Sequence, residues 1–138
     1  MGYYDCSARD AAYAAYEAAK AEYEQAVEEY NNAVELQESL DKEQQNVQSK
    51  MDQYDAIYNE VAAAGATFLT SQNVGYLQSG FNCLSDYSAQ VAEAQAKCAS
   101  EVSRCLDNKN QKNAVMQATY AEYCATPCVW VDDEDDWW

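Results

Sequence analysis

A chain of 138 residues is one domain's worth, and 24 Asp and Glu against 8 Lys and Arg, with no His, leave a net charge of −16. An acidic surface repels phosphate backbones and anionic headgroups, which argues against nucleic-acid and membrane-surface partners and leaves basic ones. The 49% hydrophobic content is mostly Ala and Tyr, with Leu, Ile, Val and Phe sparse, so the apolar surface forms stripes and not a globular interior.

In chain order, residues 1–10 are a short lead-in in which Ser7 or Asp10 is the expected helix cap. From Ala12 to Val61 the chain counts in sevens. Tyr16, Tyr23, Tyr30, Gln37, Gln44, Met51 and Tyr58 share one position, and Ala19, Ala26, Ala33, Leu40, Val47, Tyr54 and Val61 follow three residues later. That is an a/d seam, free of Gly and Pro, and it predicts one continuous helix over about 8–64. Tyr alternating with Ala lets a large ring on one helix sit over a small residue on the other. Gln37 and Gln44, polar at a positions, read as devices that fix register.

Gly65 is the first stop signal, and residues 65–75, rich in Thr, Ser and Asn, read as a loop. A second stripe then runs through Leu77, Phe81, Leu84, Ser88, Val91, Gln95, Cys98, Val102, Cys105, Lys109, Lys112, Met116 and Tyr123. It predicts a helix over about 76–124, ended by Pro127. Two long helices joined by a short loop fold back as an antiparallel hairpin. A turn near residue 69 sets Leu40 opposite Cys98, Tyr54 opposite Leu84, and Cys6 near Cys124 and Cys128. The expected fold is therefore all-α, a coiled-coil-like hairpin over 1–124 followed by a tail over 125–138. Val27, Val34, Leu36 and Ile57 lie outside the a/d positions and widen the apolar face of the first helix beyond what one neighbour covers. Either the hairpin pairs with a copy of itself into a four-helix bundle, or it packs on another protein.

Six cysteines are open to three readings. They are free packing thiols along the second stripe, or Cys6 bridges to Cys124 or Cys128 and staples the ends, or a few of them hold a metal. The metal reading is the poorest fit, because Cys124 and Cys128 are the only close pair and there is no His. No cofactor motif is present. The tail, VWVDDEDDWW, sets five consecutive acids between Trp130 and the pair Trp137 and Trp138. The acids alone read as a solvated end, and the tryptophans as a recognition segment. Without His, a nucleophile needs a carboxylate or Lys base held in a cleft, so the sequence predicts no enzyme. Nor does it predict a Sec-type signal peptide or a membrane span, since the early residues are interrupted by Asp5, Asp10 and Glu17. Export, if it occurs, then requires a dedicated machine.

A small acidic protein of two long antiparallel helices, with a Gly-containing turn and a targeting segment at the C-terminus, resembles the Trp-x-Gly superfamily of type VII secretion. The longer members encoded beside LXG-class toxins are the most similar. Asn73, Val74 and Gly75 stand where the family has Trp-x-Gly, and Phe81 matches its following Phe. Trp130 and Glu134 match the family's export spacing of an aromatic, three residues and an acid, with Trp in place of Tyr. The resemblance implies a cytoplasmic protein that binds the helical region of a secreted toxin or effector and leaves the cell with it. A self-assembling subunit of a virion, appendage or filament, cross-linked by cysteines, fits the same stripes. A thiol-redox sensor using Cys124 and Cys128 is a third reading.

Overall fold

The computed structural model describes residues 1–63 and 71–132, the side chains of 71–73 excepted. Along the chain come β1 (Tyr3–Asp5), α1 (Ser7–Ala63), α2 (Ser71–Ala125) and β2 (Val129–Val131). The protein is a helical hairpin, and most of its residues lie in α1 and α2. The fold is all-α apart from one short ribbon that was not expected. β1 and β2 pair antiparallel, with Tyr3 opposite Val131, Tyr4 opposite Trp130 and Asp5 opposite Val129. The chain contacts divide into two compact units, one made of Met1–Asn32 and Ser103–Trp138, the other of Ala33–Val102.

In the first unit the buried side chains are Ala19, Ala26 and Cys105, all on the expected stripes, with Tyr16, Tyr23 and Tyr30 half-buried. The small residues let the helix backbones approach, and the rings beside them fill the flanks. Lys109 and Lys112 lie on the apolar stripe of α2 and are half-buried. Their heads explain how: Lys109 Nζ sits 4.9 Å from the centroid of the Tyr30 ring, and Lys112 Nζ lies 3.2 Å from a Glu22 carboxylate oxygen. Each stem covers apolar surface while its charge finds a partner at the edge. Partners are separated by 122 residues at Cys6–Cys128 and by 90 at Glu22–Lys112, so the two segments run antiparallel.

In the second unit the core is Ala33, Val47, Val91 and Cys98, and Val47 is only 2% exposed. Polar residues cross the seam in register. Gln44 Nε2 donates to the Ser88 hydroxyl at 3.1 Å, and Gln95 Nε2 donates to Asp41 Oδ1 at 2.8 Å. Gln44 thus does hold α1 and α2 at one alignment. The register itself differs from the one expected. The Cys98 thiol donates to the Ala33 carbonyl at 3.5 Å, one heptad away from Leu40. A Cβ on Gly80 would meet the Tyr54 ring at 2.5 Å, so Tyr54 lies over Gly80, four residues before the expected Leu84. The displacement is four residues at Tyr54 and seven at Cys98, and stripes spaced alternately by three and four still face each other after shifts of one or two turns, so the pattern alone does not select among registers. α2 starts at Ser71, earlier than expected.

That early start also places Asn73 and Gly75 within α2 and not in a loop, while Phe81 lies in α2 as expected. Ser and Asn favour turns because their side chains bond nearby backbone, and the same property makes them good first residues of a helix. Residues 64–70, including Gly65, lie outside the described residues. Gly75 is exposed, and a Cβ there would meet nothing within 4 Å. Gly75→Ala is therefore expected to stabilise the protein by about 0.8–1 kcal/mol in urea unfolding, the helix-propensity difference. A loss of stability would instead return Gly75 to a turn conformation.

Candidate functional site

The first unit gathers most of the chemistry-bearing side chains around the ends of α1 and α2. Cys6 immediately precedes α1, and Cys128 follows α2 after Thr126 and Pro127; their sulfurs are bonded. Of the two partners expected for Cys6, Cys128 is the one joined, and Cys124 is a free, exposed thiol. Cys124 lies inside α2, which carries it away from the strand pair, whereas Cys128 enters β2 opposite the Asp5 end of β1. Cys83 is also exposed and outside any disulfide, while Cys98 and Cys105 are buried and outside any disulfide.

The start of α1 is capped by Asp5, two residues before the expected Ser7. Asp5 Oδ1 accepts the Ser7 backbone N–H at 2.9 Å and its hydroxyl at 2.5 Å, while the Asp10 N–H donates to the Cys6 carbonyl at 2.8 Å, already within the first helical turn. The Ser7 hydroxyl and N–H hold the Asp5 carboxyl below its ordinary value. The support that Asp5 gives the helix is thus present above the ordinary carboxylate range and lost as pH falls through the lowered value. At the other end, the Thr126 hydroxyl donates to the Glu122 carbonyl at 2.7 Å and satisfies one of the last carbonyls of α2.

On the strand pair Tyr4 and Trp130 meet edge to face at 5.0 Å, and both remain exposed. Gly2 lies so close under the Trp130 indole that no side chain fits there. Trp130 is therefore part of a folded ribbon and not of a free tail. Glu134, Trp137 and Trp138, the other tail recognition residues, lie outside the described residues.

Next to the ribbon stand four tyrosines. Tyr13 and Tyr123 are 5.1 Å apart, Tyr16 and Tyr120 are 5.2 Å apart, and Tyr13 and Tyr16 are 6.3 Å apart. Arg9 sits 5.2 Å over the Tyr123 ring. The Tyr13 hydroxyl bonds Glu17, whose carboxylate pushes the phenol above its ordinary value. Tyr120 is raised as well, chiefly by its hydrogen bond with Cys124. Tyr16, Met116, Gln117 and Tyr120 line a groove of about 410 Å³.

The second unit has its own groove, about 220 Å³, lined by Tyr54, Asp55, Tyr58, Val74, Leu77, Gln78 and Phe81. Tyr87 donates to Glu43 at 3.0 Å, and that bond raises the phenol. A raised phenol stabilises the fold below the ordinary value near 10 and loses that contribution as pH rises through its folded value. Alkaline titration followed by phenolate absorbance is expected to show Tyr87 ionising late, and Glu43→Gln is expected to bring it back toward its ordinary range.

Of the residues expected to bind a partner, Val27 and Val34 are half-buried, while Leu36 is 55% and Ile57 47% exposed. Leu36 and Ile57 share one flank of α1, three heptads apart; Val27 and Val34 are on the other flank. Sequence reasoning did not find the ribbon, the Asp5 cap or the tyrosine groove. The ribbon had a signal: Tyr3 and Tyr4, and Val129, Trp130 and Val131, are strand-favouring residues beside the two cysteines that bond. Among the described residues no group of three or more His, Cys, Asp or Glu is placed to hold a metal ion, and no helix is long and apolar enough to cross a membrane. Compared with known proteins, the chain matches no family model, no curated protein and no solved structure.

Proposed function

We propose that this chain is a non-enzymatic helical partner protein that binds the helical region of a secreted effector and accompanies it through a type VII machine. The observation that carries the reading is the exposed pair Leu36 and Ile57, two large apolar side chains on one flank of α1, with Glu43 and Lys50 between them, that the seam with α2 leaves uncovered. Residues of this kind, spaced by heptads on one flank, suit another helix laid alongside. Export is supported by the Cys6–Cys128 disulfide, because such bonds persist in oxidising compartments and are rare in the cytosol. The type VII route rests on the spacing of Trp130 and Glu134.

A cut before Trp130 would remove β2 together with the tail, so the decisive truncation follows Asp132. That protein keeps the ribbon and the disulfide. It is expected to fold normally and to fail in secretion, measured as the fraction in the culture medium. Unchanged secretion would overturn the targeting role. Leu36→Asp with Ile57→Asp is expected to leave folding intact and to abolish co-export of the effector.

A second reading, a cross-linked structural subunit, is favoured by one observation. Cys83 and Cys124 are exposed and outside any disulfide. In an oxidising compartment such thiols join copies of the chain.

A further inference from the structure

We propose that the groove between Tyr16, Met116, Gln117 and Tyr120 is a seat for a cationic side chain, Lys or Arg, presented by an extended segment of a protein partner. The proposal rests on the partner-protein reading and names the chemistry of a second contact, in a different unit from Leu36 and Ile57.

Three observations converge. The walls are two tyrosine rings and a thioether, and a ring face attracts a cation through its quadrupole, while Met adapts to varied shapes. This unit already uses the same chemistry on other rings: Arg9 lies over Tyr123 at 5.2 Å, close to the groove, and Lys109 over Tyr30 at 4.9 Å, farther along α1. The charge is complementary. The chain carries −16, Glu17 sits beside Tyr13 next to the groove, and Lys112, the nearest base on the α2 stripe, is already engaged by Glu22. A groove of about 410 Å³ accepts a Lys or Arg side chain with its stem along Met116 and its head against the exposed Tyr120 ring, which packs on Tyr16 at 5.2 Å. Gln117 supplies an amide oxygen that can accept from the bound head.

The test is a nuclear magnetic resonance titration of the full oxidised chain with a capped peptide of three Gly-Arg repeats, beside the same peptide with citrulline for arginine. Saturable shifts of the Met116 methyl and of the Tyr16 and Tyr120 rings are expected with arginine and not with citrulline. Tyr16→Leu with Tyr120→Leu is expected to weaken binding roughly five- to tenfold. Tyr16→Phe with Tyr120→Phe keeps the ring faces and is expected to bind like the parent, which separates loss of the seat from loss of folding. Equal affinity for the Leu and parent proteins, with shifts spread over the acidic residues, would overturn the seat and reduce the effect to diffuse charge attraction. Because the peptide is not the effector, that failure leaves the co-export experiment to decide the partner reading on its own.

Discussion

Replacing both Cys6 and Cys128 with Ser is expected to lower the unfolding free energy by roughly 5 kcal/mol, the chain-entropy estimate for a bond that closes so long a loop. The bond spans 122 residues of sequence. Reduction releases the unfolded chain to explore far more conformations, while in the folded state it leaves a ribbon of only three residue pairs, too short to persist alone. In thermal unfolding the parent protein in reductant is expected to match the double Ser variant, and both to melt at least about 10 °C below the oxidised parent. The double variant itself is expected to be indifferent to reductant. Cys124→Ser is the control: it removes a thiol outside the bond and is expected to change stability by less than about 0.5 kcal/mol. Insensitivity of the parent to reductant would contradict the disulfide.

The second large effect is in the seam. Ala33→Leu inserts three carbons where the α1 backbone lies close enough for the Cys98 thiol to reach its carbonyl, and is expected to cost roughly 1–3 kcal/mol by overpacking. Ala26, 2% exposed, is expected to behave alike within its own unit. A double-mutant cycle reads the register directly. Ala33→Leu combined with Cys98→Ala is expected to recover part of the loss, because the smaller side chain makes room for the larger. Leu40→Ala combined with Cys98→Ala is expected to be additive, because those residues are not opposed. Coupling in the second pair and additivity in the first would restore the register one heptad away.

The seam was legible because heptad spacing follows directly from helix geometry. Ala19, Ala26, Ala33 and Val47 on α1, and Val91, Cys98 and Cys105 on α2, are both the residues that the spacing selects and the buried ones. Register was not legible, since Ala33 and Leu40 occupy the same heptad position and either can face Cys98. The helix start at Ser71 was obscured because Ser and Asn serve turns and caps by the same hydrogen bonds. The ribbon was hidden by its length and by the distance along the chain: three residues per strand give no alternation to read, and β1 and β2 are separated by both long helices. The tyrosine groove depends on which rings meet across α1 and α2. Tyr16 looks like an ordinary seam residue until Tyr120, off the α2 stripe, is placed beside it.

The partner reading and the structural-subunit reading part on assembly. Light scattering on a sizing column, run on the pure protein with and without reductant, separates them most directly. A discrete monomer or dimer in both conditions is the expected result, with Leu36 and Ile57 left for a different chain. An open-ended assembly that reductant dissolves would contradict it and make Cys83 and Cys124 the links of a structural subunit.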